Sequence, residues 1–332
     1  IFKYDLKGDF INVINKRIYD INFVEDHISV ARYVNNKKAF GTEIMPGDII
    51  DFAKYLQVAP TLEAIIEKII YPERLKMSSD GNVYALGKDI YRKNYRVGII
   101  DPTDGHTIFI FGKSGTGEAD LLWPKDIAVD TEGNIYITNY VYSKEGEKLF
   151  AVKKYDNRGN FIKSWGVWGG GNGEFKDPWA IAIDDRNGYV YVTDAFYPSW
   201  MRGTGEEHPQ ERVQKFTKDG KFIKKWGGNR ITGVVVFPPR LLVEPDFSDP
   251  VGIAVDSKGY VYVLEDDRAR VSKFDGDGKL IKRWGKPGVG QGEFRDPQAI
   301  AIDKNDNVYI ADTGNDRIQK FDPNGKFLME IR

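Results

Sequence analysis

One pattern occurs five times between residue 72 and the last residue, and it limits the fold more than any other feature. Each copy starts with a proline, continues through a short apolar segment and a tight turn, and reaches a tyrosine 12 or 13 residues after the proline. The five copies are Pro72…Tyr84, Pro124…Tyr136, Pro178…Tyr191, Pro250…Tyr262 and Pro297…Tyr309. A recurrence of this length indicates one supersecondary unit per copy, stacked against its neighbours.

Each copy contains four short segments with strand character. After Pro124 the apolar segment "DIAVD" leads through a Gly-containing turn into "IYIT". The segment "FAVKKYD" alternates apolar and basic residues, and a second Gly-containing turn leads into "FIKSWG". Four strands per copy predict an all-β propeller built from four-stranded antiparallel blades. The aromatic residues that end the copies are expected to fill the widening wedge between blades: Phe111, Trp165, Trp226 and Trp284.

The remaining N-terminal segment is interpreted as a degenerate blade, which makes the propeller six-bladed. The predicted blades cover 10–45, 72–112, 124–166, 178–227, 250–285 and 297–332. Residues 46–71 have helical periodicity and predict a small helical insertion between blades 1 and 2. Ile1–Asp5 resembles the third strand of a repeat, and residues 1–9 are predicted to form an N-terminal edge strand. Residues 10–332 are then one propeller domain. Five blades with an unrelated cap is the alternative.

The motifs "NGEFKDPWAIAID", "QGEFRDPQAIAID" and "DTGNDRIQKFDPNGKF" resemble NHL-repeat β-propellers over about 260 residues, from Pro72 onwards. The resemblance implies the fold. It leaves function open, because propellers of this kind include lyases, RNA binders, protein-binding scaffolds and sensor domains.

The long insertions are predicted on one face of the disc, where second-to-third loops and blade connections lie. They are 46–71, 139–149, 195–211 and 228–249. One-sided elaboration predicts a non-enzymatic module that binds a protein or glycan partner through this face. The candidate binding residues combine aromatic rings with hydrogen-bond donors: Trp123, Tyr140, Tyr142, Trp179, Phe196, Tyr197, Trp200, Arg202, His208 and Arg240.

The first alternative is a metal-dependent lyase or lactonase with Ca²⁺ on the propeller axis. Four carboxylates at strand ends are its candidate ligands: Asp126, Asp194, Glu265 and Asp312. The competing interpretation is ion pairing with the arginine that opens the third strand, in the pairs Asp194–Arg212, Asp266–Arg270 and Asp312–Arg317. A trihistidine metal site is not expected, because the three histidines (His27, His106 and His208) fall in separate blades. No catalytic residue and no cofactor are assigned.

Composition narrows the partners. The chain has 48 Lys and Arg against 49 Asp and Glu, so no bulk electrostatic attraction to nucleic acid or membranes is expected. Binding of single-stranded RNA is therefore only the third hypothesis for the function. No apolar run is long enough for a transmembrane helix, and the chain has no cysteine. The compartment is left open, with an extracellular or cell-surface assembly as the working hypothesis. Self-association is predicted through residues 1–8 and the apolar run Val234–Phe237.

Overall fold

Five consecutive four-stranded antiparallel sheets follow the sequence repeat. The computed structural model describes residues 2–4, 10–12, 18–24, 27–32, 71–78, 81–89, 94–101, 107–141, 149–195, 211–228 and 247–332. In each of the five sheets the strands lie in chain order, and the first strand contacts the first strands of neighbouring sheets. The first strands therefore surround the axis, and the all-β propeller of four-stranded blades predicted from the repeat is confirmed.

The five blades comprise twenty strands. The first two blades contain β5 (Tyr71–Met77), β6 (Val83–Lys88), β7 (Tyr95–Ile100), β8 (Thr107–Phe111), β9 (Asp126–Val129), β10 (Ile135–Thr138), β11 (Val152–Tyr155) and β12 (Phe161–Trp165). The next two contain β13 (Pro178–Asp184), β14 (Tyr189–Asp194), β15 (Arg212–Thr217), β16 (Phe222–Gly227), β17 (Pro250–Val255), β18 (Val261–Glu265), β19 (Arg270–Phe274) and β20 (Leu280–Trp284). The last contains β21 (Pro297–Ile302), β22 (Val308–Asp312), β23 (Arg317–Phe321) and β24 (Phe327–Ile331).

The repeated tyrosine is the centre of each blade. All five tyrosines have at most 1% of their surface exposed: Tyr84, Tyr136, Tyr191, Tyr262 and Tyr309. In three blades the hydroxyl donates to an aspartate at the first turn, as Tyr262 does to Asp256 Oδ2 at 2.9 Å. The other oxygen of Asp256 accepts the backbone N–H groups of Lys258 and Tyr260. One aspartate thus closes the turn and satisfies the buried hydroxyl.

The aromatic residue that ends a blade packs onto the next blade. A Cβ built on Gly278 would lie 2.6 Å from the Trp226 ring, and Gly325 has the same relation to Trp284. Trp165 and Phe111 meet Gly220 and Gly159 in the same manner. The predicted filling of the wedge is therefore observed, with a glycine on the facing turn leaving room for each ring.

The first sheet has a different strand order. It contains β1 (Phe2–Tyr4), β2 (Phe10–Asn12), β3 (Ile18–Val24) and β4 (His27–Arg32), in the order β2-β1-β4-β3. Phe2–Tyr4 pairs with β2 on one side and β4 on the other, whereas the sequence predicts an edge strand for residues 1–9. Phe2–Tyr4 is therefore an interior strand of this sheet, with neighbours on both sides. An edge strand has one row of backbone groups unpaired.

The first sheet stands beside the repeating blades. Its strand β3 contacts β5 on one side and β21 on the other. The predicted helical insertion 46–71 lies outside the described residues except for Tyr71, which begins β5. Among the described residues the one helical element is a 3-10 turn, Thr313–Asn315. Within the described residues, no helix has the length and apolar character needed to cross a membrane.

Candidate functional site

Trp123 is a large apolar side chain held out into solvent on the face predicted to bind a partner. It follows the connection between the first two repeating blades, has 55% of its surface exposed, and adopts a left-handed backbone conformation with φ of 44°. Its ring packs edge-on against Tyr140, with 5.1 Å between the ring centroids. The Tyr140 backbone N–H donates to the Leu122 carbonyl at 2.9 Å. The two segments that carry the aromatic pair are thereby fixed together.

The position of Trp123 in the repeat makes it unusual. In three other blades the residue before the first-strand proline is an aspartate: Asp177, Asp249 and Asp296. Asp249 and Asp296 share the left-handed conformation, with φ of 51° and 48°. Aspartate tolerates this conformation better than an aromatic residue does. Trp123 therefore occupies a position where local backbone preference favours a small polar residue.

Trp179 extends the aromatic surface onto the next blade. The Lys125 ammonium lies 4.2 Å from the Trp179 ring centroid, a cation–π geometry. The Thr138 hydroxyl donates to the Trp179 carbonyl at 2.7 Å, which ties β10 to β13. We call Trp123, Tyr140, Lys125 and Trp179 the aromatic patch.

The other predicted binding residues lie outside the described residues. They are Tyr142, Phe196, Tyr197, Trp200, Arg202, His208 and Arg240. The self-association segment Val234–Phe237 also lies outside them. Of the ten predicted binding residues the structure describes three: Trp123 and Tyr140 are in ring contact, and Trp179 lies beside Lys125.

Two of the candidate metal ligands are held by arginine. Asp194 accepts from Arg212 Nε at 3.1 Å and from the backbone N–H groups of Lys176 and Asp177. Burial raises the pKa of Asp194 to about 6, with Arg212 opposing the shift, so the ion pair is charged at neutral pH. Asp312 accepts from Arg317 Nε at 2.6 Å, and both residues are buried.

The third candidate ligand, Glu265, is also held by arginine. It accepts from Arg270 Nε and from one Arg270 Nη nitrogen at 2.9 Å each. The cross-strand register aligns Glu265 with Arg270, whereas Asp266 begins the following turn. The Asp266–Arg270 pair stays a prediction. A metal ion at Asp194 or Asp312 would have to displace a buried guanidinium, which costs several kcal/mol, and at Glu265 it would displace the half-buried guanidinium of Arg270.

Asp126 is the carboxylate that differs from these three. One oxygen accepts the Ile127 N–H at 2.8 Å and the other accepts the Ile181 N–H of the next blade at 2.9 Å. Burial raises the pKa of Asp126, and Arg74 partly offsets this. The described residues contain no group of three or more His, Asp or Glu side chains suited to a metal ion. His27 begins β4, and His106 and His208 lie outside those residues.

A central channel runs between the first strands of the blades. At its polar end Arg74, Lys76, Asp126, Trp179 and Gln298 line a small opening. Further along, Ala, Ile and Val side chains of β9, β13, β17 and β21 line an apolar cavity of about 230 Å³. The sequence analysis did not identify Arg74, Lys76 or Gln298 as site residues. An alignment of the five repeats could have identified Arg74 and Lys76, because the equivalent positions in the other blades are mostly small and apolar.

Comparison with known proteins agrees with this architecture. A family described as "6-bladed beta-propeller" matches residues 251–332, and one described as "Beta-propeller repeat" matches residues 111–139. Protein brain tumor of Drosophila melanogaster, an NHL-repeat protein, is 22% identical over 175 residues, or 53% of this chain. The repeats of this chain are thus similar to those of NHL-type β-propellers. The match spans 14% of the Drosophila protein.

Two solved structures share the fold. Virginiamycin B lyase from Staphylococcus aureus, in a catalytically inactive form with quinupristin, has a TM-score of 0.54 at 15% identity, covering 97% of this chain and 86% of that one. A chain of a nidogen/laminin complex has a TM-score of 0.50 at 15% identity, covering 78% of each chain. At these identities the likeness concerns the propeller alone.

Proposed function

We propose that this propeller is a non-enzymatic recognition module that binds a protein partner through the aromatic patch. The exposure of Trp123, at a repeat position where three other blades place aspartate and one places Tyr71, is the observation that carries the proposal. Trp and Tyr are enriched at the centres of protein interfaces, where a few large rings supply most of the binding energy. Lys125 and the ring edges add directional contacts to this apolar area.

The patch is organised before any partner arrives. The Tyr140 N–H bond to Leu122, the edge-on contact of Trp123 with Tyr140 and the Lys125–Trp179 contact hold its backbone and rings. A preorganised surface loses less side-chain entropy on binding than a mobile one. Closure of the disc supports this rigidity, and we propose that the first sheet serves as a sixth blade between β21 and β5.

We favour a protein over single-stranded RNA because the charges at the blade starts are mixed in sign. Asp177, Asp249 and Asp296 precede first-strand prolines, and Lys176 and Arg295 directly precede two of these aspartates. An RNA-binding face requires a continuous positive surface that follows the phosphate backbone, and mixed charges interrupt one. The lyase or lactonase alternative has less support, because Asp194, Glu265 and Asp312 already bind arginine. The experiment below distinguishes a glycan partner from a protein partner.

The test replaces Trp123 by the residue that the repeat itself uses. Trp123→Asp suits the left-handed backbone and should fold as the wild type does. A photo-crosslinking amino acid at position 123 in cells identifies the partner, which is then purified and titrated against both proteins. Loss of a central ring is expected to weaken binding by about tenfold or more, since hot-spot truncations cost roughly 2 kcal/mol or more.

The matched control is Ile281→Lys on the outer strand β20, where Ile281 is 49% exposed. This variant removes a similar apolar surface from the rim and should bind normally. Equal binding by wild type and Trp123→Asp, or equal crosslinking from positions 123 and 281, would refute the proposal. A crosslink that glycosidases remove would indicate a glycan, and one that ribonuclease removes would indicate RNA.

A further inference from the structure

Two cations stand on the first strand of one blade, at positions where the repeat otherwise places small or acidic residues. Four residues after the proline, the other blades carry alanine: Ala128, Ala182, Ala254 and Ala301. The blade that begins at Pro72 carries Lys76 at this position. Two residues after the proline, three blades carry a small residue: Ala180, Gly252 and Ala299. The other two blades carry a charge there, Arg74 in one and Asp126 in the other. The repeat fold therefore does not require these charges.

Both cations line the central channel. Arg74 and Lys76 lie at its polar end, and Lys76 also lines the apolar cavity of about 230 Å³. Arg74 donates from one Nη nitrogen to the Glu73 carbonyl at 2.8 Å. Lys76 makes no hydrogen bond or ion pair with the side chains that the structure describes. The Lys76 ammonium lies beside apolar strands and is attracted by Asp126 in the same channel. A bound anion would offset a further part of its desolvation cost.

The third charge of the channel is already bonded. The two oxygens of Asp126 accept backbone N–H groups from Ile127 and Ile181, so they are directed toward the protein. Among the described side chains that line the channel, two cations and one carboxylate leave one net positive charge, which matches a monoanion. The planar guanidinium of Arg74 pairs with a carboxylate through parallel hydrogen bonds. Beyond the charges the described lining side chains are mostly aliphatic, which favours a small ligand with an apolar body.

We propose that the axial channel binds a small organic monocarboxylate. The carboxylate lies between Arg74 and Lys76, and the apolar body enters the cavity lined by the alanine and isoleucine side chains of β13, β17 and β21. This site shares Trp179 with the aromatic patch, but binding of the carboxylate does not depend on the partner proposed above.

Three fluorinated probes with one ring and different head groups test the proposal: 4-fluorobenzoate, 4-fluorobenzyl alcohol and 4-fluorobenzylamine. Fluorine NMR titration of the full chain is expected to show binding of the carboxylate, weaker binding of the alcohol and none of the amine. Lys76→Ala and Arg74→Ala restore residues that other blades carry, so both should fold. Each is expected to weaken carboxylate binding by about tenfold, as loss of a charge-assisted hydrogen bond implies.

The controls separate this proposal from the earlier one. Trp123→Asp should bind 4-fluorobenzoate as the wild type does, and Lys76→Gln repeats the test if the alanine variant unfolds. Equal affinity for carboxylate and alcohol, or unchanged affinity in both the Lys76 and Arg74 variants, would overturn the proposal. Displacement of the probe by inorganic phosphate at equal concentration would also overturn it, because the site would then recognise any anion.

Discussion

Substitution of Gly278 tests the packing between blades. Gly278 lies in the turn between β19 and β20 with φ of 80°, and a Cβ there would lie 2.6 Å from the Trp226 ring of the preceding blade. Gly188 provides the control, because its φ is 72° and a Cβ built on it would meet nothing within 4 Å. Alanine at either site is strained in the left-handed conformation, but alanine at Gly278 alone collides with a neighbour.

The expected losses in the free energy of unfolding follow from the backbone strain at both sites and from the steric clash at Gly278. The left-handed conformation costs alanine about 1–2 kcal/mol, and overpacking a filled site costs about 1–3 kcal/mol more. Gly188→Ala should therefore lose about 1–2 kcal/mol and Gly278→Ala about 2–5 kcal/mol. For 332 residues, an unfolding entropy of about 2.1 cal/mol/K per residue makes each kcal/mol equal to about 1–2 °C in Tm.

Calorimetry or urea unfolding of both variants measures the difference. The double variant Trp226→Leu/Gly278→Ala should recover about 1–3 kcal/mol relative to the sum of the single changes, since the clash is shared by the two residues. Equal losses for Gly188→Ala and Gly278→Ala, with additive effects in the double variant, would refute tight packing of the ring on the turn.

Two further predictions concern buried charges. Burial raises the pKa of Asp177 to about 6 from its usual 3.8, so the wild type should lose stability as the pH rises from about 4 to about 6. Asp177→Asn should remove this loss of stability. At 1.36 kcal/mol per pKa unit, the variant should be more stable than the wild type at pH 7 by up to about 3 kcal/mol. Parallel curves of Tm against pH for the two proteins would contradict this prediction. Arg317→Met leaves the buried Asp312 without its cation and should cost about 3–5 kcal/mol in urea unfolding, part of which Asp312→Asn recovers. A loss below about 1 kcal/mol would show that the pair is dispensable.

The blades could be predicted from the sequence because their determinants are local. A tyrosine at fixed spacing after a proline, an aspartate that closes a turn four residues long and an aromatic residue before a glycine recur together in register. Each feature acts between residues of one blade or of adjacent blades. The buried position of Tyr262 and the packing of Trp226 on Gly278 follow from that register.

The candidate site could be predicted only in part. Trp123, Tyr140 and Trp179 were accessible to sequence reasoning, because aromatic residues beside long loops indicate a recognition surface. The pairing of Arg270 with Glu265 was not accessible, because it depends on the strand register that places these two residues opposite each other. A shift of one residue in that register would turn Glu265 to the other face of the sheet.

Tertiary structure alone decided the order of the first sheet and the contents of the channel. Phe2–Tyr4 has the sequence of a third strand, but its place between β2 and β4 depends on pairing with segments beyond its own hairpin. Arg74, Lys76 and Asp126 come together because blades far apart in the chain present their first strands to one axis. The amino-acid sequence determines each blade through contacts between near neighbours, whereas closure of the ring brings together residues whose separation in the chain leaves no local pattern.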